Sequence, residues 1–92
     1  MKQIEPIRSF TYAGVNFSVY HANKNEGLNR HEHLYNHLTI CHSGSCLVSL
    51  EEKNYTINKD NNPLDLPANK WHEIKALEDN TVFVNVFAEG KY

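Results

Sequence analysis

The sequence predicts an all-β domain closed into a barrel or nearly so, and three observations predict it. Short apolar or alternating runs recur at spacings of roughly 8–12 residues, as in β-sandwiches and barrels. Turns rich in glycine and asparagine separate those runs, and no segment longer than a turn carries helical period.

Residues 1–10 alternate only weakly and contain Pro6, which suits an edge strand or an ordered arm. From Val15 the period of two is clear. Val15, Phe17, Val19 and His21 form the apolar side of a half-buried strand, with Asn16, Ser18 and Tyr20 opposite. Asn23 to Asn29 is polar and holds Gly27, so a loop is expected there. His37 to His42 is a strand, with His37, Thr39 and Cys41 on one face and Leu38, Ile40 and His42 on the other. Ser43-Gly44-Ser45 then reverses the chain into Cys46–Leu50. Turns at 51–54 and 58–63 bracket a short strand over Tyr55–Ile57, and Leu64–Leu66 is a brief strand ended by Pro67. Trp71–Leu77 and Thr81–Phe87 complete the set.

Ninety-two residues are expected to form one domain, 1–92, around one small core. So small a core favours an extra stabiliser, a bound metal or a partner subunit. The net charge of −2 carries no basic bias for nucleic acid or an anionic membrane surface. No apolar run approaches the ~20 residues of a spanning helix, and no signal-peptide core precedes residue 20. A cytoplasmic protein is expected, with Cys41 and Cys46 as free buried thiols.

Chemistry concentrates in two stretches. Arg30-His31-Glu32-His33-Leu34-Tyr35-Asn36-His37 sets three histidines within seven positions, and Pro67-Ala68-Asn69-Lys70-Trp71-His72 adds a fourth after a turn. Neutral imidazole is the commonest protein metal ligand. In extended backbone, His-x-His aims both rings to one side. The spacing therefore points to one metal site built from His31, His33, His37 and His72. His21 ends its strand near enough to be a fifth candidate, although a structural role suits it better.

The pattern resembles that of the cupins, the RmlC-like jelly-roll superfamily. Their motifs read G-x5-H-x-H-x3,4-E-x6-G and G-x5-P-x-G-x2-H-x3-N. The sequence reproduces His31-x-His33-x3-His37-x6-Gly44 and Pro67-x-Asn69-x2-His72. The connection between the motifs is short, as in compact stand-alone cupins, including bacteriophage-encoded ones. The resemblance implies a small cupin-type β-barrel in which His31, His33, His37 and His72 ligate the metal. Three glycine positions of the motifs hold Asn25, Asn61 and Asn69, and asparagine is the least costly substitute where φ is positive. Ala76 stands at the closing asparagine, and His37 stands at the usual glutamate. An all-histidine shell leaves the cation's charge uncompensated. That favours iron, nickel, copper or zinc over magnesium or calcium, with manganese kept among the candidate divalent metals, and attracts an anionic, chelating ligand.

The resemblance implies a metalloenzyme acting on a small oxygen-rich metabolite, by dioxygen insertion or by sugar or sugar-phosphate isomerisation. Isomerisation needs a well-placed proton carrier, and the sequence offers no convincing base, Tyr35 being the nearest to one. Dioxygen chemistry leads on that account. Glu32 and Glu73 alternate away from the ligands, and Arg30 and Tyr35 flank them. The other classes are a non-catalytic small-molecule binding module and an inert structural metal site. Apolar residues on both faces of several strands lead to the expectation of a homodimer joined through outer sheet faces, with Leu38, Ile40, Val82, Val84 and Val86 as examples.

Overall fold

The computed structural model describes residues 1–92 and contains strands only. In chain order these are β1 (Lys2–Gln3), β2 (Arg8–Tyr12), β3 (Val15–Ala22), β4 (Glu26–His31) and β5 (His37–Ser43). They continue as β6 (Ser45–Leu50), β7 (Lys53–Asn58), β8 (Leu64–Leu66), β9 (His72–Ala76) and β10 (Thr81–Ala88). Two five-stranded sheets result, ordered β1-β4-β9-β6-β7 and β2-β3-β10-β5-β8. Phe83, Leu66, Ile74 and Val48 are buried between them. No helix is long and apolar enough to cross a membrane.

The arm before β2 laces the sheets together. Ile4 N–H donates to the Gly27 carbonyl at 3.0 Å, and Ile7 N–H donates to the Val19 carbonyl at 2.8 Å. Between those bonds the chain passes from one sheet to the other across Glu5 and Pro6.

Two expectations are corrected. The stretch 23–29 is not a loop throughout, because Glu26–His31 is a strand paired with β1 and β9. Gly27 marks a close backbone approach: a Cβ there would stand 1.9 Å from the Ile74 carbonyl oxygen. The turn proper is short, with Asn25 at φ 70°.

The inward face of β3 is also the opposite of the one its hydropathy suggests. Ser18, Tyr20 and Ala22 are buried, whereas Phe17 and Val19 are half-buried on the outside and His21 is exposed against Asn80 Oδ1 at 3.2 Å. The partner strands explain this. Ser18 lies in register with Asn85, and Asn85 with Thr39, so a polar rung crosses three strands inside the barrel. The Thr39 hydroxyl donates to Asn85 Oδ1 at 2.7 Å. Outside, Phe17, Val86 and Leu38 are in register, as are Val19, Val84 and Ile40. That outer surface is continuous and apolar, and Phe10 of β2 stacks on Phe17 with ring centroids 5.0 Å apart.

Cys41 and Cys46 are free and buried. Burial raises both thiols above the usual range, so they behave as small apolar residues rather than nucleophiles.

Candidate metal centre

Four elements bring the histidines to one end of the barrel. His31 closes β4 and pairs with His72, while Leu28 pairs with Ile74, so three steps on β4 oppose two on β9. That bulge is what allows Leu28 and His31 to face inward together despite their odd separation. His72 opens β9 between His31 on one side and Leu50 of β6 on the other. His37 opens β5 opposite Leu66 of β8.

His33 lies in the connection after β4, held by the second motif. Asn69 adopts φ 62°, and its N–H donates to the His33 carbonyl at 2.7 Å. Ala68 N–H donates to Asn36 Oδ1 at 2.8 Å. The Pro-x-Asn turn thus clamps the loop between His33 and His37. Of the three asparagines at glycine positions, Asn25 and Asn69 take positive φ. Asn61 does not; its side chain instead ties the turn by donating to the Thr56 carbonyl at 2.7 Å.

The ring nitrogens are sorted by backbone carbonyls. A carbonyl only accepts, so the contacts of Nδ1 with Asn29 O in His31, with Lys70 O at 3.2 Å in His72 and with Leu38 O at 3.4 Å in His37 place the hydrogen on Nδ1. Each Nε2 is left with a bare lone pair, the arrangement that orients metal-binding histidines. One nitrogen from each of His31, His33 and His72 lies within 4.8 Å of the others. His37 Nε2 stands 3.4 Å from His72 Nε2. His33 Nε2 is buried without any hydrogen-bond partner. Burial, followed by mutual repulsion, lowers His33, His37 and His72 to about 4, so all three rings are neutral at physiological pH. Converging neutral nitrogens, one of them orphaned, fit a transition-metal cation.

A cavity of about 350 Å³ opens beside His31 and His33, lined also by Ile4, Glu5, Tyr20 and Tyr92. Tyr20 is buried with its ring stacked on Phe83 at 4.9 Å, and burial pushes its phenol up to about 12. Tyr92 lies over the histidines, 4.0 Å from the His33 ring and 6.0 Å from that of His37 between centroids. Sequence reasoning missed all three of Glu5, Tyr20 and Tyr92. The parity of β3 hid Tyr20, and no motif marks the other two.

Tyr35 is exposed on the connection after β4, under the Lys91 ammonium at 5.1 Å, and does not line the cavity. Arg30 stacks over Trp71 at 4.1 Å. Glu32, His42 and His21 are exposed. A second concavity of about 380 Å³, among Leu50, Glu51, Tyr55, Pro67 and Lys70, contains no histidine.

This fold and site define a small cupin with a histidine cluster placed for a metal ion. Within that class, the family model described as FdtA: WxcM-like, C-terminal matches residues 9–92, and the chain belongs to that family. Among solved structures, KdgF from Halomonas sp. is similar at 14% identity, over 88% of this chain and 74% of that one, with a TM-score of 0.79. A conserved protein of unknown function from Streptococcus pyogenes gives 16%, 92%, 74% and 0.77. A cupin-2 domain protein from Shewanella frigidimarina gives 12%, 92%, 83% and 0.73. At these identities the likeness is one of fold. No curated protein matches the sequence.

Proposed function

We propose that His31, His33, His37 and His72 hold one divalent transition metal, and that the chain is an enzyme moving a proton on a small hydroxy-carbonyl compound. The observation carrying this reading is that imidazole nitrogens converge at the barrel end where His31 and His33 line a cavity together with Glu5 and Tyr20. Two imidazole nitrogens that share one ion, each at ~2.0–2.1 Å, stand no more than about 4.2 Å apart. The 3.4 Å between His37 and His72 suits such a pair. When bound, the cation would polarise a carbonyl or alkoxide oxygen and acidify the adjoining C–H.

The remaining work falls to the chain. Glu5 is the wall group able to take and return a proton. Tyr20 stays protonated at neutral pH and donates a hydrogen bond to a ligand oxygen. Tyr35 is left for the outer rim. Preference for dioxygen chemistry rested on the lack of a proton carrier, and Glu5 removes that ground. Dioxygen-dependent oxidation is the second reading, favoured by an all-nitrogen donor set that suits iron and copper.

The test is metal analysis of the purified protein, then incubation of the loaded protein with small aldoses and hydroxy-ketones in D2O. Metal-dependent appearance of deuterium beside the carbonyl, reduced in Glu5→Gln, is the expected NMR result. Oxygen uptake without deuterium exchange would select the second reading. Neither, with metal bound, would reduce the chain to a binding module.

We also propose a homodimer joined through the apolar outer face of Phe17, Val19, Val84, Val86, Leu38 and Ile40. Sedimentation at micromolar concentration should give twice the chain mass, and Val84→Lys should give the monomer. A wild-type monomer would remove this assembly.

A further inference from the structure

The His33 ring is half-exposed, yet its Nε2 is sealed from solvent and has no hydrogen-bond partner. The Tyr92 ring lies against it, with centroids 4.0 Å apart and planes inclined at 50°. Tyr92 is itself held in place. Its ring meets Phe87 at 4.4 Å, and Gly90 at φ +74° turns the chain back over the site. The Lys91 N–H donates to the Ala88 carbonyl at 2.9 Å, and the Lys91 ammonium covers the Tyr35 ring. Tyr92 also lines the cavity together with Ile4, Glu5, His31 and His33. None of these contacts uses the phenol oxygen. The ring is what does the covering.

We propose that Tyr92 is a gate that sets the size of ligand admitted to the histidine cluster. Ligands enter along the side of Glu5 and Tyr20, and those too bulky for that path need the ring to swing out. The inference rests on the metal reading for its consequence and on His33 alone for its geometry, so the two fail separately.

Two measurements test it. In cobalt-loaded protein, extraction by EDTA should be about tenfold faster in Tyr92→Ala, because a lid opening precedes access. It should be unchanged in Tyr92→Phe, which keeps the ring. In metal-free protein, carbethoxylation by diethyl pyrocarbonate, mapped by peptide mass, should spare His33 relative to exposed His42. Tyr92→Ala should bring His33 close to the rate of His42, and Tyr92→Phe should not. Failure of the wild type to take up cobalt would end the metal reading, while carbethoxylation still judges the gate. Equal His33 rates in wild type and Tyr92→Ala would overturn the gate. So would faster carbethoxylation with unchanged EDTA extraction, because a gate must act on ligands as well as on the free ring.

Discussion

His37→Glu is expected to keep its metal, whereas His37→Ala binds more weakly and His72→Ala loses the site. His37 stands where the cupin pattern carries glutamate, and a carboxylate oxygen ligates at nearly the imidazole distance. His72 cannot be spared in the same way. It is buried, lies in register with His31, and has its Nε2 3.4 Å from that of His37. A cation present at a hundred times its dissociation constant stabilises the fold by about 2.7 kcal/mol. For a domain of this size that is a rise of roughly 10–20 °C in Tm. Wild type and His37→Glu should show it, His37→Ala less, and His72→Ala none. Without metal, His37→Glu should melt lowest, because a carboxylate in the barrel would then be buried and unpaired. Equal metal-independent losses in the glutamate and alanine variants would take His37 out of the site. With metal bound, the added charge in His37→Glu should weaken anionic chelators.

The second large effect is acid lability of the metal-free protein. His33, His37 and His72 are held near 4, against about 6.5 in an unfolded chain. Because the folded values are depressed, the unfolded chain binds more protons as pH falls below about 6.5. Stability is therefore fully present above that pH and is lost down towards about 4. The rings share one field and His33 is partly solvated, so the combined loss is on the order of a few kcal/mol rather than a sum of three independent shifts. Chelator-treated protein should show a flat Tm above pH 7 and a steep fall between pH 6.5 and 4. His33→Gln should flatten that fall, as should saturating metal down to the pH at which protons displace it. A Tm independent of pH across this window would mean that the rings are not buried in neutral form.

The all-β class, the turn at Gly44 and the faces of His37, Thr39 and Cys41 were legible in the sequence because each follows from a local pattern. The expected seven or eight strands fell short of the ten present, β1 and β4 among those missed. The convergence of His31, His33 and His72 was legible because His-x-His is a local pattern and a Pro-x-Asn turn precedes His72. β3 defeated the same logic. Hydropathy tells which face is apolar, and in this barrel the apolar face of β3 looks outward while Ser18 and Tyr20 look in. A buried polar rung reverses the usual rule, and only the partner strands reveal it. Gly27 was misread for a related reason. A glycine signals either a turn or a close approach, and the approach to Ile74 depends on a residue 47 positions away in the chain. Glu5, Tyr20 and Tyr92 reach the cavity through tertiary folding alone. Even the parity of His31 relies on a bulge that no local pattern announces.

The lacing of Ile4 to Gly27 and Ile7 to Val19 has a consequence for motion. The segment between those bonds carries Glu5, so the cavity wall and the seam joining the two sheets are the same piece of backbone. Few hydrogen bonds hold it, which places it among the parts of a domain that open most readily without global unfolding. On the proposed role of Glu5, each such opening would withdraw its carboxylate from the cavity wall for its duration. A ligand touching Glu5 would shut that motion down, so occupancy of the cavity and cohesion of the barrel are two readings of one equilibrium.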